Sequence, residues 1–294
     1  MRCTALVLVM ACSPRQVTSA TAPVERYRGP IIDMHAHLVP PGEMANFATD
    51  MPADADLRAL DRQAGIAQSS LIVIASKGDL DATRKLNDSA IAAAKASDGQ
   101  FFAIASVHPA DGQGAFDELA RVAAAGVRVI KLHPNSQHFD VGAPEVAAVV
   151  AKAAELGLVL LFDGFSPFDA NQPGKFFLLA IQHPKARFII AHIGGPKFDE
   201  MAMFGMARLF KWYARNVWFD LSATSHTFAD SPYEAQLVWV ARLIGTERIL
   251  FGSDFPVDVP AHAVDDYARL GFTAAEQRQI FHDNAAALLA APKP

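Results

Sequence analysis

The chain has 294 residues, 26 Lys and Arg against 31 Asp and Glu, a net charge of -5 and 51% apolar side chains. So much apolar content excludes an intrinsically disordered polypeptide, and the mildly acidic balance offers no basic stripe for nucleic acid. The length would accommodate two domains, but single α/β barrels of about 250 residues are equally ordinary.

The N-terminus reads first as a targeting segment. Met1-Arg2 leads into the apolar run Thr4-Ala5-Leu6-Val7-Leu8-Val9-Met10-Ala11, followed by Cys12-Ser13-Pro14 and a small, polar stretch to Ala22. A basic start, a short apolar run and small residues predict a secretory signal peptide over residues 1–22, the run being too short for a membrane span. Val9-Met10-Ala11-Cys12 resembles a bacterial lipoprotein cleavage box. The expectation is an exported chain, periplasmic or extracellular, whose membrane anchoring would come only through a lipidated Cys12. An artefactually long or truncated start is the alternative. Cys3 and Cys12 are the two cysteines of the chain, so the domain that follows is left without disulfides, thiolate catalysis or Cys-ligated zinc. Any metal there must be held by His, Asp or Glu.

From Ile31 onward, β-rich apolar runs alternate with helical patterns, the signature of βα units. Strands are predicted at Ile31–His37, Ser69–Ala75, Phe101–His108 and Val127–His133. Four more are predicted at Leu158–Asp163, Arg187–His192, Val217–Ser222 and Arg248–Asp254. Helices are expected over Ala55–Ala64, Thr83–Ala96, Gln113–Ala125, Pro144–Leu156, Gly174–His183, Lys197–Ala214, Pro232–Ile244, Ala261–Leu270 and Thr273–Leu289. The last opens on the capping box Thr273-Ala274-Ala275-Glu276. Eight strands each followed by helix favour one closed (β/α)8 TIM barrel over an open sheet, spanning residues 30–290. The Pro- and Gly-rich stretch Leu38–Asp54 leaves the first strand's C-terminal end, where it would overhang the barrel mouth as a lid or a plain loop.

Within the first strand, Ile31-Ile32-Asp33-Met34-His35-Ala36-His37 places two histidines two residues apart. In an extended strand such residues project from one face, so both imidazoles would converge on a point, a metal-binding geometry. Alternation would put Ile32, Met34 and Ala36 toward surrounding helices and Asp33, His35 and His37 toward a polar centre. Two hydrogen-bonded core histidines would give the same spacing. Barrel chemistry sits at strand C-termini, and further polar residues are predicted there. Lys131 and His133 end strand four, Asp163 strand five, His192 strand six and Asp254 strand eight. His192 reads as a ligand or an acid/base group, and Asp254 as a buried carboxylate that needs a cation or several hydrogen bonds. Asp220 reads as a hydrogen-bond partner behind these groups.

Four ordered motifs carry a resemblance: Ile32-Asp33-Met34-His35-Ala36-His37, Ile130-Lys131-Leu132-His133-Pro134, Phe188-Ile189-Ile190-Ala191-His192-Ile193-Gly194-Gly195 and Ile249-Leu250-Phe251-Gly252-Ser253-Asp254-Phe255-Pro256. Together they resemble the amidohydrolase superfamily, in the branch of metal-dependent TIM-barrel hydrolases and enzymes like aminocarboxymuconate-semialdehyde decarboxylase. Asn284-Ala285-Ala286-Ala287-Leu288-Leu289 is similar to that branch's terminal helix. The resemblance implies one divalent metal, usually zinc, bound by His35, His37 and Asp254, with His192 beside the metal-bound water. The branch usually carries a ligand histidine at the end of strand five, where this chain has Asp163. Asp163 as fourth ligand would make a two-His, two-carboxylate site and broaden the metal choice toward manganese or iron. Lys131 and His133 are expected to touch substrate or to order Asp163.

The leading expectation is a metal-dependent hydrolase that cleaves an amide, ester or lactone of a small molecule through metal-activated water, with Asp254 as general base and His192 orienting water or oxyanion. The alternatives are non-oxidative decarboxylation of an aromatic or unsaturated carboxylic acid, and a metal-free binding barrel. Phe198 to Trp212 is rich in Met and Phe beyond one barrel-facing stripe, which admits a homo-oligomer surface beside core burial.

Overall fold

Short runs of β-branched and aromatic residues become strands because each can be buried on both faces, as a parallel sheet covered by helices requires. The computed structural model describes residues 27–39 and 56–290. The expected signal segment, with Cys3 and Cys12, and most of the Leu38–Asp54 stretch lie outside the described residues. Eight parallel strands pair in sequence order: β1 (Ile31–Asp33), β2 (Ile66–Ile72), β3 (Phe101–Ser106), β4 (Val129–Leu132), β5 (Val159–Phe162), β6 (Arg187–Ile190), β7 (Val217–Asp220) and β8 (Ile249–Leu250). Past their last residues, the first and last strands are joined by backbone hydrogen bonds. Met34 N donates to Phe251 O at 3.0 Å, Asp254 N to His35 O at 2.6 Å and His37 N to Phe255 O at 2.8 Å. The architecture is the predicted TIM barrel.

Helices follow the strands: α1 (Leu57–Ala64), α2 (Leu80–Lys95), α3 (Gln113–Ala124), α4 (Pro144–Glu155), α5 (Gln172–Gln182), α6 (Ala202–Ala207), α7 (Thr224–Phe228), α8 (Glu234–Ile244), α9 (Pro260–Arg269), α10 (Ala274–Arg278) and α11 (Asn284–Ala290). Among the described residues, no helix is long and apolar enough to cross a membrane. Strand alternation sorts the core into layers. Ile130, Leu132, Leu160, Phe162, Phe188 and Ile190 pack outward against the helices. Val129, Val159, Leu161, Ile189 and Leu250 fill the barrel interior, where Ala285 and Leu288 of α11 join them.

Two expected helices differ from prediction. Lys197–Ala214 is mostly 3₁₀ turn through Met201, then the short α6, because the Gly194-Gly195-Pro196 turn carries positive φ at both glycines and a helix-breaking proline. Thr273–Leu289 begins on the predicted capping box but widens into a π turn over Gln279–Asp283. Opening the helix there frees the Ile280 carbonyl, which accepts from Phe251 N at 3.0 Å and ties the helix to the end of β8. In the Met- and Phe-rich stretch, Phe198, Met201 and Phe204 are buried, whereas Met206, Leu209, Phe210 and Trp212 are exposed.

The first strand corrects the expected alternation. Ile32 and Met34 belong to the barrel-interior cluster rather than to the helix-facing layer. Asp33 is coupled to Asp61 of α1. The ladder has a register shift between Ile31 and Ile32, and the strand gives way to a bend at Met34. This change of phase lets His35 turn inward directly after an inward-facing Met34.

Candidate metal centre

The residues that terminate β1, β4, β5, β6, β7 and β8 meet at the C-terminal mouth of the barrel. His35 is fully buried. Its Nδ1 lies 3.2 Å from Asp220 Oδ2, and its Nε2 lies 3.0 Å from Lys131 Nζ and 3.4 Å from Asp254 Oδ1. Asp220 only accepts, so Nδ1 carries a hydrogen, and Nε2 faces the mouth between Lys131 and Asp254. His37 Nε2 lies 3.7 Å from the same Asp254 oxygen. Burial drives the His37 pKa down to about 4 against the pull of Asp254, so this ring is neutral and has a lone pair to offer. Burial opposes ionisation of Asp254, yet the fields of His192 and His35 and the contact with His37 hold it well below the usual carboxylate range.

These three groups fit a divalent ion. One atom from each of His35, His37 and Asp254 lies within 4.8 Å of the others. Two ligands about 2.1 Å from an ion at a tetrahedral angle would lie about 3.4 Å apart, close to the 3.4 and 3.7 Å found here. Asp220 behind His35 supplies the orienting carboxylate that metal-binding histidines generally use. Lys131 Nζ lies 3.0 Å from His35 Nε2, on the side of the ring that faces the mouth.

Asp163, expected as a fourth ligand, lies in none of the three-residue ligand clusters among the described residues. Its Oδ2 is instead 3.2 Å from His192 Nε2, 3.3 Å from His133 Nε2 and 3.8 Å from Lys131 Nζ. Burial favours its neutral form, but the charges of His192 and Lys131 and the hydrogen bond from His192 outweigh it and keep Asp163 ionised. Burial lowers the His133 pKa to about 4. Lys131 and His133 thus both lie against Asp163.

His192 is held from both sides. Nδ1 faces the Ser222 carbonyl at 2.9 Å and Nε2 faces Asp163. Both partners only accept, so both nitrogens carry hydrogens and the ring is an imidazolium. Burial works against that charge, but Asp254 and Asp163 overcome it and raise the pKa to about 10. The backbone is strained here: His192, Ile193 and Asp254 have φ of 59°, 42° and 60°, left-handed values that a β-branched residue such as Ile193 rarely adopts. Gly164 makes the approach of this loop feasible, since a Cβ there would lie 2.0 Å from Ala191 O.

Sequence reasoning missed Ser222, whose Oγ donates to Asp220 Oδ1 and lies 3.2 Å from His35 Nδ1 and 3.0 Å from His192 Nδ1. Its inward position two residues after Asp220 was the available signal. Asp33, which the sequence placed toward the polar centre without a role, accepts at Oδ1 from His35 N at 2.9 Å and Ser253 N at 3.0 Å, joining the two ends of the barrel seam.

An eight-stranded parallel barrel carries this buried His/Asp cluster at its C-terminal mouth, the face where TIM barrels place their sites. The amidohydrolase family profile matches residues 32–290, and the chain belongs to that family. No curated protein sequence matches it. Among solved structures, 2,6-dihydroxybenzoate decarboxylase in complex with 2,6-dihydroxybenzoate is similar at 17% identity and a TM-score of 0.68, over 89% of this chain and 99% of that one. The 5-carboxyvanillate decarboxylase of Novosphingobium aromaticivorans, complexed with manganese and 4-hydroxy-3-methoxy-5-nitrobenzoic acid, aligns at 15% identity and 0.67, over 89% and 96%. An uncharacterised TIM-barrel protein of Bordetella bronchiseptica aligns at 17% and 0.69, over 89% and 98%. At such identities the likeness establishes the fold.

Proposed function

We propose that this barrel is a divalent-metal enzyme acting on a small carboxylic acid, and that its reaction is non-oxidative decarboxylation of an aromatic or unsaturated acid. The observation that carries this reading is the pair of buried cations beside the His35, His37 and Asp254 donors: the Lys131 ammonium and the doubly protonated His192. An anionic substrate needs such charge once it leaves water. The named decarboxylases of the same fold support the choice.

His35, His37 and Asp254 would hold the ion, with zinc suited to the imidazole donors and manganese or iron as the alternatives. Bound there, the ion supplies Lewis-acid stabilisation of negative charge on substrate oxygen. Lys131 adds positive charge on the β4 side. His192 acts as general acid: the bond from carbon to the carboxylate breaks, its electron pair stays on carbon, and that carbon takes the Nε2 proton as carbon dioxide departs. Asp163 positions the imidazolium, and Asp220 with Ser222 fixes the orientations of His35 and His192.

Hydrolysis of an amide, ester or lactone is the second reading, favoured by the ionised Asp254 carboxylate at the mouth, which can serve as a base toward water, with His192 stabilising the oxyanion. Export of the enzyme, as the N-terminal segment suggests, would suit a scavenging role in either case. Purified protein is to be assayed for carbon dioxide release from aromatic acids and, in parallel, for ester, lactone and amide cleavage. Cleavage without carbon dioxide release refutes the decarboxylase reading. Elemental analysis accompanies both, in the native protein and in His35→Ala/His37→Ala; a metal-replete protein that holds no ion refutes both enzymes and leaves a metal-free binding barrel.

A further inference from the structure

A second group of ligand-type side chains lies outside this centre and shares no residue with it. Asp258 follows β8 in the loop that carries Asp254, His262 and Asp266 lie one turn apart on α9, and His226 lies on the short helix α7. His226 Nδ1 is 3.0 Å from Asp266 Oδ2 and 3.9 Å from Asp258 Oδ2, and all three ligand atoms fall within 4.8 Å of one another. These separations bracket the roughly 3.4 Å expected between tetrahedral ligands. His262 approaches from the other side, its Nδ1 3.5 Å from Asp258 Oδ1.

Charge compensation at this cluster is uneven. Asp266 Oδ1 is paired with Arg269, leaving Oδ2 for His226. Asp258 is 9% exposed, and among the described residues its hydrogen bond is to its own loop, Val259 N donating to Oδ1 at 2.7 Å. Oδ2 has nothing within hydrogen-bond distance among the described residues and points toward the His226 Nδ1 at 3.9 Å. A largely buried carboxylate flanked by a second carboxylate and two imidazoles offers oxygen and nitrogen donors together, and imidazole donors select a first-row transition ion over magnesium or calcium.

We propose that His226, Asp258 and Asp266, with His262 alongside, form a second divalent-metal site that takes zinc or a similar ion. An ion there would tie α7 and α9 to the loop bearing Asp254, since Val257 N of that loop already donates to Asp254 O at 2.7 Å. The site is independent of the proposed reaction.

The test is a zinc titration of metal-stripped, full-length protein, followed by calorimetry and by elemental analysis after dialysis. Wild type is expected to bind two zinc ions per chain. His226→Ala and Asp258→Asn should each bind one, the affinity at the second site falling by more than about 100-fold. His226 is mostly exposed, so its removal leaves the core intact. His35→Ala/His37→Ala should retain one ion, and adding His226→Ala to that variant should abolish it. Should the barrel centre fail to bind, wild type would take a single ion that His226→Ala removes, which still supports the second site. Zinc number and affinity unchanged in His226→Ala overturn it.

Discussion

Replacing Asp61 with Asn should convert a pH-sensitive protein into a less sensitive one. Asp61 of α1 is fully buried; Ser69 Oγ donates to its Oδ2 at 2.8 Å, while Oδ1 has no partner among the described residues. Burial, reinforced by the charge of Asp33, raises its pKa from 3.8 to about 7. Between those values the folded protein keeps a proton that the unfolded chain has released, so the folded state loses stability as pH rises through the interval, by about 1.4 kcal/mol per unit. The gap of about 3 units corresponds to about 4 kcal/mol once pH exceeds the folded pKa. Asn is isosteric, can still accept from Ser69 and never ionises. Urea unfolding of metal-stripped wild type and Asp61→Asn should therefore coincide near pH 4 and diverge progressively, with the variant about 4 kcal/mol more stable at pH 8. A difference that stays constant from pH 4.5 to 8 would refute the reasoning, because it would place the Asp61 pKa at the same value in both states.

Other substitutions probe the site and its supports. Asp220→Asn, which disturbs the His35 Nδ1 contact at 3.2 Å, should weaken divalent-ion binding by about 10–100-fold in calorimetry while the far-ultraviolet circular dichroism is retained; unchanged affinity would dismiss Asp220 as an orienting group. Gly164→Ala places a Cβ 2.0 Å from Ala191 O and should cost about 1–3 kcal/mol or more in denaturant unfolding. Gly174→Ala in α5, with nothing within 4 Å of the new methyl, should instead stabilise by about 0.4–1 kcal/mol. Asn284→Ala removes hydrogen bonds of 2.7 Å to the carbonyls of both Thr246 and Ile249, and should lower stability by about 1–3 kcal/mol; a loss below about 0.5 kcal/mol would show that water replaces them at no cost.

The eight strands were legible because β-rich apolar runs and helical patterns report burial residue by residue, a local signal that survives without knowledge of contacts. Their C-terminal ends were overextended by up to four residues, as at β8, where the chain leaves the ladder after Leu250 although apolar Phe251 follows. The same locality explains the miss in the first strand. Period-two reasoning assumes an unbroken pleat, and the bend at Met34 exists because that segment must join both β2 and the chain beyond β8. The widened turn near Gln279 likewise depends on a partner, Phe251, distant in sequence.

For the site, residue types and their order along the chain named His35, His37, Asp163, His192 and Asp254, because barrel geometry delivers every strand end to one mouth. Which of them face one another was decided only by the closed tertiary structure. Asp163 is a residue in reach of the mouth by sequence, yet its oxygen is directed by three cationic or polar neighbours from β4 and β6. Protonation was beyond the sequence for the same reason. His37 and His192 are chemically identical side chains, and one stays neutral while the other becomes an imidazolium through the acceptors and burial that folding sets around each ring.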